Sequence, residues 1–158
     1  MSIGISVVAA TFTGLQWYEA RETRRQQFDA VLELESDMEL DQNRAGISLR
    51  NVGPGVARVR SVSYYMDGKL LGDDPSAALD QAKLDPNRNM GTTLDQDEPI
   101  GPSETIPLVL IRIKSDEERD RAVKLFEDQL QVRVEYRAVD GKRRSVCTPL
   151  KCPAKGAP

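Results

Sequence analysis

Residues 85–91, DPNRNMG, set Asp85, Asn87 and Asn89 at alternate positions, the oxygen-donor spacing with which a calcium loop begins. An EF-hand loop also needs Gly at its sixth place and a bidentate Glu at its twelfth; Met90 and Gln96 stand there instead. Asp95, Asp97 and Glu98 could add oxygens, but the helices that flank such a loop are missing from the pattern. The expectation is therefore no bound metal, with Asp85, Asn87, Asn89 and Asp95 as the residues that would hold one.

The other chemistry-bearing groups are few. The chain has no histidine and two cysteines, which removes imidazole general bases, Ser-His-Asp triads and the usual zinc sets together. No catalytic residue and no cofactor site are expected, and the chain does not read as an enzyme. Cys147 and Cys152 enclose TPLK and could close a disulfide in an oxidising compartment, or stand as two thiols in a reducing one. Lys142, Arg143 and Arg144 form a compact basic cluster, read as a solvated hairpin tip or as a contact for anionic headgroups worth roughly 1 kcal/mol per charge.

These groups must be positioned by a chain of 158 residues, room for one domain of ordinary size and a tail. Its net charge of −3 has an excess of acid from Phe28 onward, so it lacks the clustered basic footprint of nucleic-acid binding.

Ahead of that domain, Ile3 to Tyr18 carries no charge. As a helix it would be about 24 Å long at ~1.5 Å per residue, against roughly 30 Å for a bilayer core. Trp17 and Tyr18 at the boundary, followed by Arg21, Arg24 and Arg25, fit a headgroup belt and a juxtamembrane basic segment. The expectation is a single-pass anchor within 1–27 that includes Ile3, Ser6, Ala10, Gly14, Trp17 and Tyr18, with the lipid bilayer as its first partner. Because the arginines follow the span, the domain is expected on the cytoplasmic side of an inner membrane; a native disulfide would argue for the periplasm instead. Ser6, Ala10 and Gly14 recur every four residues, a small-residue face suited to self-association or to a membrane protein partner.

From Phe28 the period becomes two. Phe28, Ala30, Leu32 and Leu34 alternate with polar neighbours or Val31, as do Ile47 and Leu49, Val62, Tyr64 and Met66, and Val132, Val134 and Tyr136. Asp67-Gly68 and Asp140-Gly141 predict two tight hairpins of type I′. TIPLVLIRI, residues 105–113, reads as a strand covered on both faces. Two short helices interrupt the strands. One opens at Asp74-Pro75 and stops at Asp85-Pro86; the other spans 115–129 behind a Ser115–Glu118 capping box, with Val123, Phe126 and Leu130 on its apolar face. The stretch 85–103 reads as a long loop.

The stretch ISLRNVGPGVARVRSVSYYMDGK is the most distinctive. A strand ends in Asn51, the Gly53-Pro54-Gly55 turn follows, and Ala57 opens a second strand that closes in Asp67-Gly68. This resembles a stretch of bacterial immunoglobulin-like domains of the cell-adhesion-related type. The layout of span, basic segment and domain is similar to uncharacterised bacterial membrane-anchored proteins. The resemblance implies a mainly β fold, an immunoglobulin-like antiparallel β-sandwich over 28–152, with a disordered tail at 153–158. It implies a membrane-anchored, non-enzymatic protein-interaction or structural subunit of a bacterial membrane complex. The alternative is a small-ligand or ion-sensing sandwich coupled to a membrane partner.

Overall fold

The computed structural model describes residues 28–39 and 42–148. In chain order it holds β1 (Leu32–Glu39), β2 (Arg44–Asn51), β3 (Ala57–Met66), β4 (Lys69–Gly72), α1 (Ser76–Gln81), β5 (Pro99–Ile100), β6 (Thr105–Arg112), α2 (Asp116–Lys124), β7 (Leu130–Arg137) and β8 (Arg143–Cys147). One antiparallel sheet runs β1-β2-β6, and the other runs β4-β3-β7-β8, with β5 added to the start of β3. The chain is mainly β, as its two-residue periods predict.

The two sheets share one core. β7 alternates buried and half-buried residues along its whole length, sending Leu130, Val132, Val134 and Tyr136 inward. Ile47, Leu49, Val109 and Ile111 come from the first sheet. The strand buried on both faces is β2, from Ala45 to Leu49, more completely than the 105–113 strand for which the sequence predicts it. Gly46 explains part of this, since a Cβ there would run into the Val109 carbonyl across the sheet.

The two Asp-Gly pairs behave differently. Asp67 and Gly68 take φ of 49° and 82° respectively and make the tight β3–β4 hairpin. At the second pair only Gly141 has positive φ, and five residues separate the last ladder pair, Arg137 and Arg143. That turn is a longer loop, which corrects the tight hairpin predicted there. It is closed by backbone bonds from Ala138 N–H to the Lys142 carbonyl at 3.3 Å and from Gly141 N–H to the Ala138 carbonyl at 2.9 Å, and the Asp140 carboxylate accepts the Lys142 N–H at 2.9 Å.

The second helix starts where the sequence places it, and the first starts one residue later, at Ser76 with Pro75 rather than Asp74 as its N-cap; both end differently. Asp74 accepts the Ser76 N–H at 2.8 Å ahead of α1, but the helix stops at Lys83, whose φ of 56° lets Leu84 N–H return to the Leu79 carbonyl. Ser115 caps α2 by accepting the Glu118 N–H at 3.2 Å. The Glu118 carboxylate reaches Lys114 N–H rather than Ser115 N–H, and Arg88 grips it with Nη1 at 3.1 and 3.2 Å. The helix then widens into a π turn, Leu125–Gln129, which rotates the inward face onto Ala122, Leu125 and Phe126 and leaves Val123 only half-buried.

The 85–103 stretch has almost no regular structure, yet it is a strap pinned to both sheets. Met90 N–H donates to Leu110 and Thr92 N–H to Pro107, each at 2.7 Å, along the free edge of β6. It then crosses to β3, where Asp97 N–H donates to the Val59 carbonyl at 2.7 Å and β5 begins. The strap thus supplies partners for two edges that would otherwise stay open to other chains.

Asp74 accepts the Ser76 hydroxyl and then its N–H, and Asp85, Glu118 and Asp140 each accept a backbone N–H at a turn or helix start; those bonds hold all four carboxyls below their usual range. A carboxyl whose folded pKa is depressed contributes stability that is complete above its unfolded value, about 4, and is lost as pH falls through the lower folded value. Stability is therefore expected to hold from neutral pH to about 5 and to decline below about 4. Glu118→Gln should make that decline shallower; an identical acid profile by urea titration at each pH would contradict it.

Candidate functional site

Asn51 is fully buried and its side chain makes three bonds. Nδ2 donates to the Gly55 carbonyl at 2.7 Å and to the Ile100 carbonyl at 3.0 Å, while Oδ1 accepts the Gly53 N–H at 3.1 Å. Its backbone is held as well, since Asn51 N–H donates to Glu104 and its carbonyl accepts Ser103 N–H. Neither Gly53 nor Gly55 has positive φ. Their requirement for glycine is close approach: a Cβ on Gly55 would collide with the Phe28 carbonyl, and one on Gly53 would lie 2.5 Å from backbone atoms of Asp29 and Val31. Pro54 sits exposed between them. The turn that the sequence singles out is thus the seat on which residues 28–31 enter the fold.

A second set of bonds fastens the same segment. Arg144 donates to Asp29 Oδ2 at 2.6 Å, to the Ala30 carbonyl at 3.3 Å and to Asp140 at 3.2 Å. The hydrogen bond to Asp29, against some burial, raises the guanidinium pKa further. Of the basic cluster, only Lys142 and Arg143 are exposed; Arg144 is a latch rather than a free surface charge.

The calcium-like residues are not brought together around a cation. Asp85 Oδ1 accepts both nitrogens of Asn87, and Asp85 Oδ2 pairs with Arg88 Nε at 3.3 Å. Asn89 Oδ1 accepts Gly91 N–H and Leu110 N–H, stitching the strap to β6. Asp95 donates its N–H to Glu98 at the next bend. Among the described residues no three His, Cys, Asp or Glu groups gather as a metal site. Cys147 ends β8 and is not a free thiol, while Cys152 lies outside the described residues. The anchor residues Ile3, Ser6, Ala10, Gly14, Trp17 and Tyr18 also lie outside them, as does the tail from 153. Among the described residues no helix is long and apolar enough to cross a membrane.

One feature went unforeseen from the sequence. Beneath the strap, between the sheets, lies a cavity of about 250 Å³ lined by Tyr64, Asp73, Asp74, Thr92, Leu94 and Leu108 among others. Tyr64 is buried, 3% exposed, and burial followed by the charges of Asp74 and Asp73 pushes its phenol far above the ordinary range. A signal for this grouping does exist. The Asp67-Gly68 hairpin sets Tyr64 opposite Gly72 across a bulge, so the Asp73-Asp74 pair must follow beside Tyr64.

No protein-family model, curated protein or solved structure matches the chain.

Replacing Asn51 with Ala should leave buried partners at Gly53, Gly55 and Ile100 unpaired and cost on the order of 3 kcal/mol. The readout is a lowered urea midpoint at constant slope. Gly55→Ala should destabilise comparably by displacing Phe28, whereas Pro54→Ala should change little.

Proposed function

We propose that this chain is a membrane-anchored, non-enzymatic protein-interaction or structural subunit, an immunoglobulin-like sandwich held at a bilayer by the stretch from Ile3 to Tyr18. The observation that carries the reading is where the exposed apolar side chains fall. Phe28 is 60% exposed, and Val31, Val52 and Val56 are exposed beside it. They are neighbours because Val52 N–H donates to the Val31 carbonyl and Gly55 N–H to the Asp29 carbonyl. Single exposed apolar residues need no explanation, but a group surrounding the point of entry from an apolar, Trp-Tyr-Arg-flanked stretch suits a face turned to a membrane or a membrane subunit. The hairpin tip that Arg144 ties to Asp29 adds exposed Lys142 and Arg143 at the same end, where anionic headgroups would meet them.

The immunoglobulin-like reading is supported by strand order. β1-β2-β6 facing β4-β3-β7-β8 corresponds to strands A-B-E against C′-C-F-G of such domains, with α1 and the strap in place of the usual fourth strand of the first sheet.

Arg21, Arg24 and Arg25 favour the cytoplasmic side. A periplasmic placement is the second reading, favoured by Cys147, which is not a free thiol.

Alkaline carbonate extraction of membranes holding the full chain tests the anchor: the protein should stay in the pellet, and release to the supernatant would overturn the reading. Protease protection in spheroplasts then assigns the side. A domain cut only after lysis, with two thiols titratable on denaturation, is cytoplasmic; one cut without lysis, with none titratable, is periplasmic. Ala10→Leu with Gly14→Leu should reduce the particle size in detergent if the small-residue face holds a partner.

A further inference from the structure

We propose that the cavity beneath the strap binds a small organic ammonium ion, its charge between the carboxylates of Asp73 and Asp74 and a hydrogen bond to the Tyr64 hydroxyl. Membrane attachment has no part in this site. Tyr64 is 3% exposed and lines the cavity, and no described residue hydrogen-bonds its hydroxyl. Tyr136, the comparable tyrosine of β7, is 5% exposed and its hydroxyl does have a protein partner, accepting Leu32 N–H at 3.5 Å. A buried phenol normally finds such a partner. The Tyr64 hydroxyl opens onto the cavity instead, where a guest can reach it.

Charge decides the class of ligand. Asp73 and Asp74 line the cavity and lie at its exposed side, and neither has a salt bridge among the described residues. Asp74 Oδ1 is taken by Ser76 N–H and Oγ, which keeps that carboxylate ionised. Arg60 also lines the cavity, but its charge is met by Asp97 at 3.1 Å, so it does not neutralise the aspartates. The site is therefore anionic at its mouth, with a hydroxyl that can accept as well as donate within. A hard divalent cation would want about six oxygens, and no such group is present among the described residues. An ammonium needs only two or three acceptors, and Leu94 and Leu108 offer an apolar wall for its carbon chain. A volume of about 250 Å³ falls just under the range of roughly 300–1,000 Å³ for drug-sized ligands, which restricts the guest to a short amine.

The test titrates the full-length protein in detergent with n-butylamine and butane-1,4-diamine, following melting temperature and heat of binding. Butane-1,4-diol, succinate and calcium chloride are the controls. Saturable stabilisation by an amine and by none of the controls is expected. Asp73→Asn and Asp74→Asn should each weaken it by about tenfold. Tyr64→Phe fills the same space and should weaken it while leaving the fold intact. No saturable shift with either amine, an equal shift with calcium chloride, or binding indifferent to all three substitutions would overturn the proposal.

Discussion

The buried carboxamide of Asn51 is the contact on which the rest of the arrangement depends. It joins two stretches far apart in sequence: the Gly53-Pro54-Gly55 turn and the end of the strap, at Ile100 through its side chain and at Ser103 and Glu104 through its backbone. A buried polar group of this kind is costly when partly satisfied and specifies one geometry when fully satisfied. Here every side-chain hydrogen-bonding atom has a partner. Moving the turn would orphan carbonyls in two segments at once, so the start of β3, the end of the strap and the seat for residues 28–31 are fixed together.

From that junction the strap solves an edge problem. A three-stranded sheet with β6 at its rim and a four-stranded sheet whose β4 covers only the last part of β3 would both present unpaired backbone. Residues 89–92 take up the first edge, and residues 97–100 take up the second. Gly91 is needed because the strap comes so near β6 that a Cβ would strike the Leu108 carbonyl. Between its two attachments the strap bridges the gap between the sheets, and that bridge is the roof of the cavity.

The strands were legible because burial on one face imposes period two, and β7 shows this without interruption. Helix starts were legible because Asp74 and Ser115 act on backbone groups two or three residues away. What escaped reading has a common physical cause. The strap is held by backbone bonds to distant strands, which leave no side-chain pattern. The glycines at 53 and 55 could be recognised as a turn, but the reason for them is the backbone of residues 28–31, some twenty-five positions earlier. The π turn shifts the buried face of α2 by a residue, and no local preference announces it. Tyr64 read correctly as an inward strand position; that its hydroxyl would meet a void depends on Thr92, Leu94 and Leu108, which only the strap brings opposite.

Strand β3 relates the two ends of the molecule. Ala57 lies at the entry seat, and Tyr64 follows about 23 Å further along at ~3.3 Å per residue. The mouth of the cavity therefore lies toward the opposite end of β3 from the seat of residues 28–31. The route into that cavity is also constrained. Thr92 N–H is bonded to Pro107 on one side of the roof and Asp97 N–H to Val59 on the other, so lifting the strap would break backbone pairing to both sheets. The side formed by Asp73 and Asp74 has no such ties: both are exposed, and they follow a short strand that meets β3 through only three ladder pairs. A ligand that enters there passes the two carboxylates before it reaches the phenol, which makes charge the first selection and size the second.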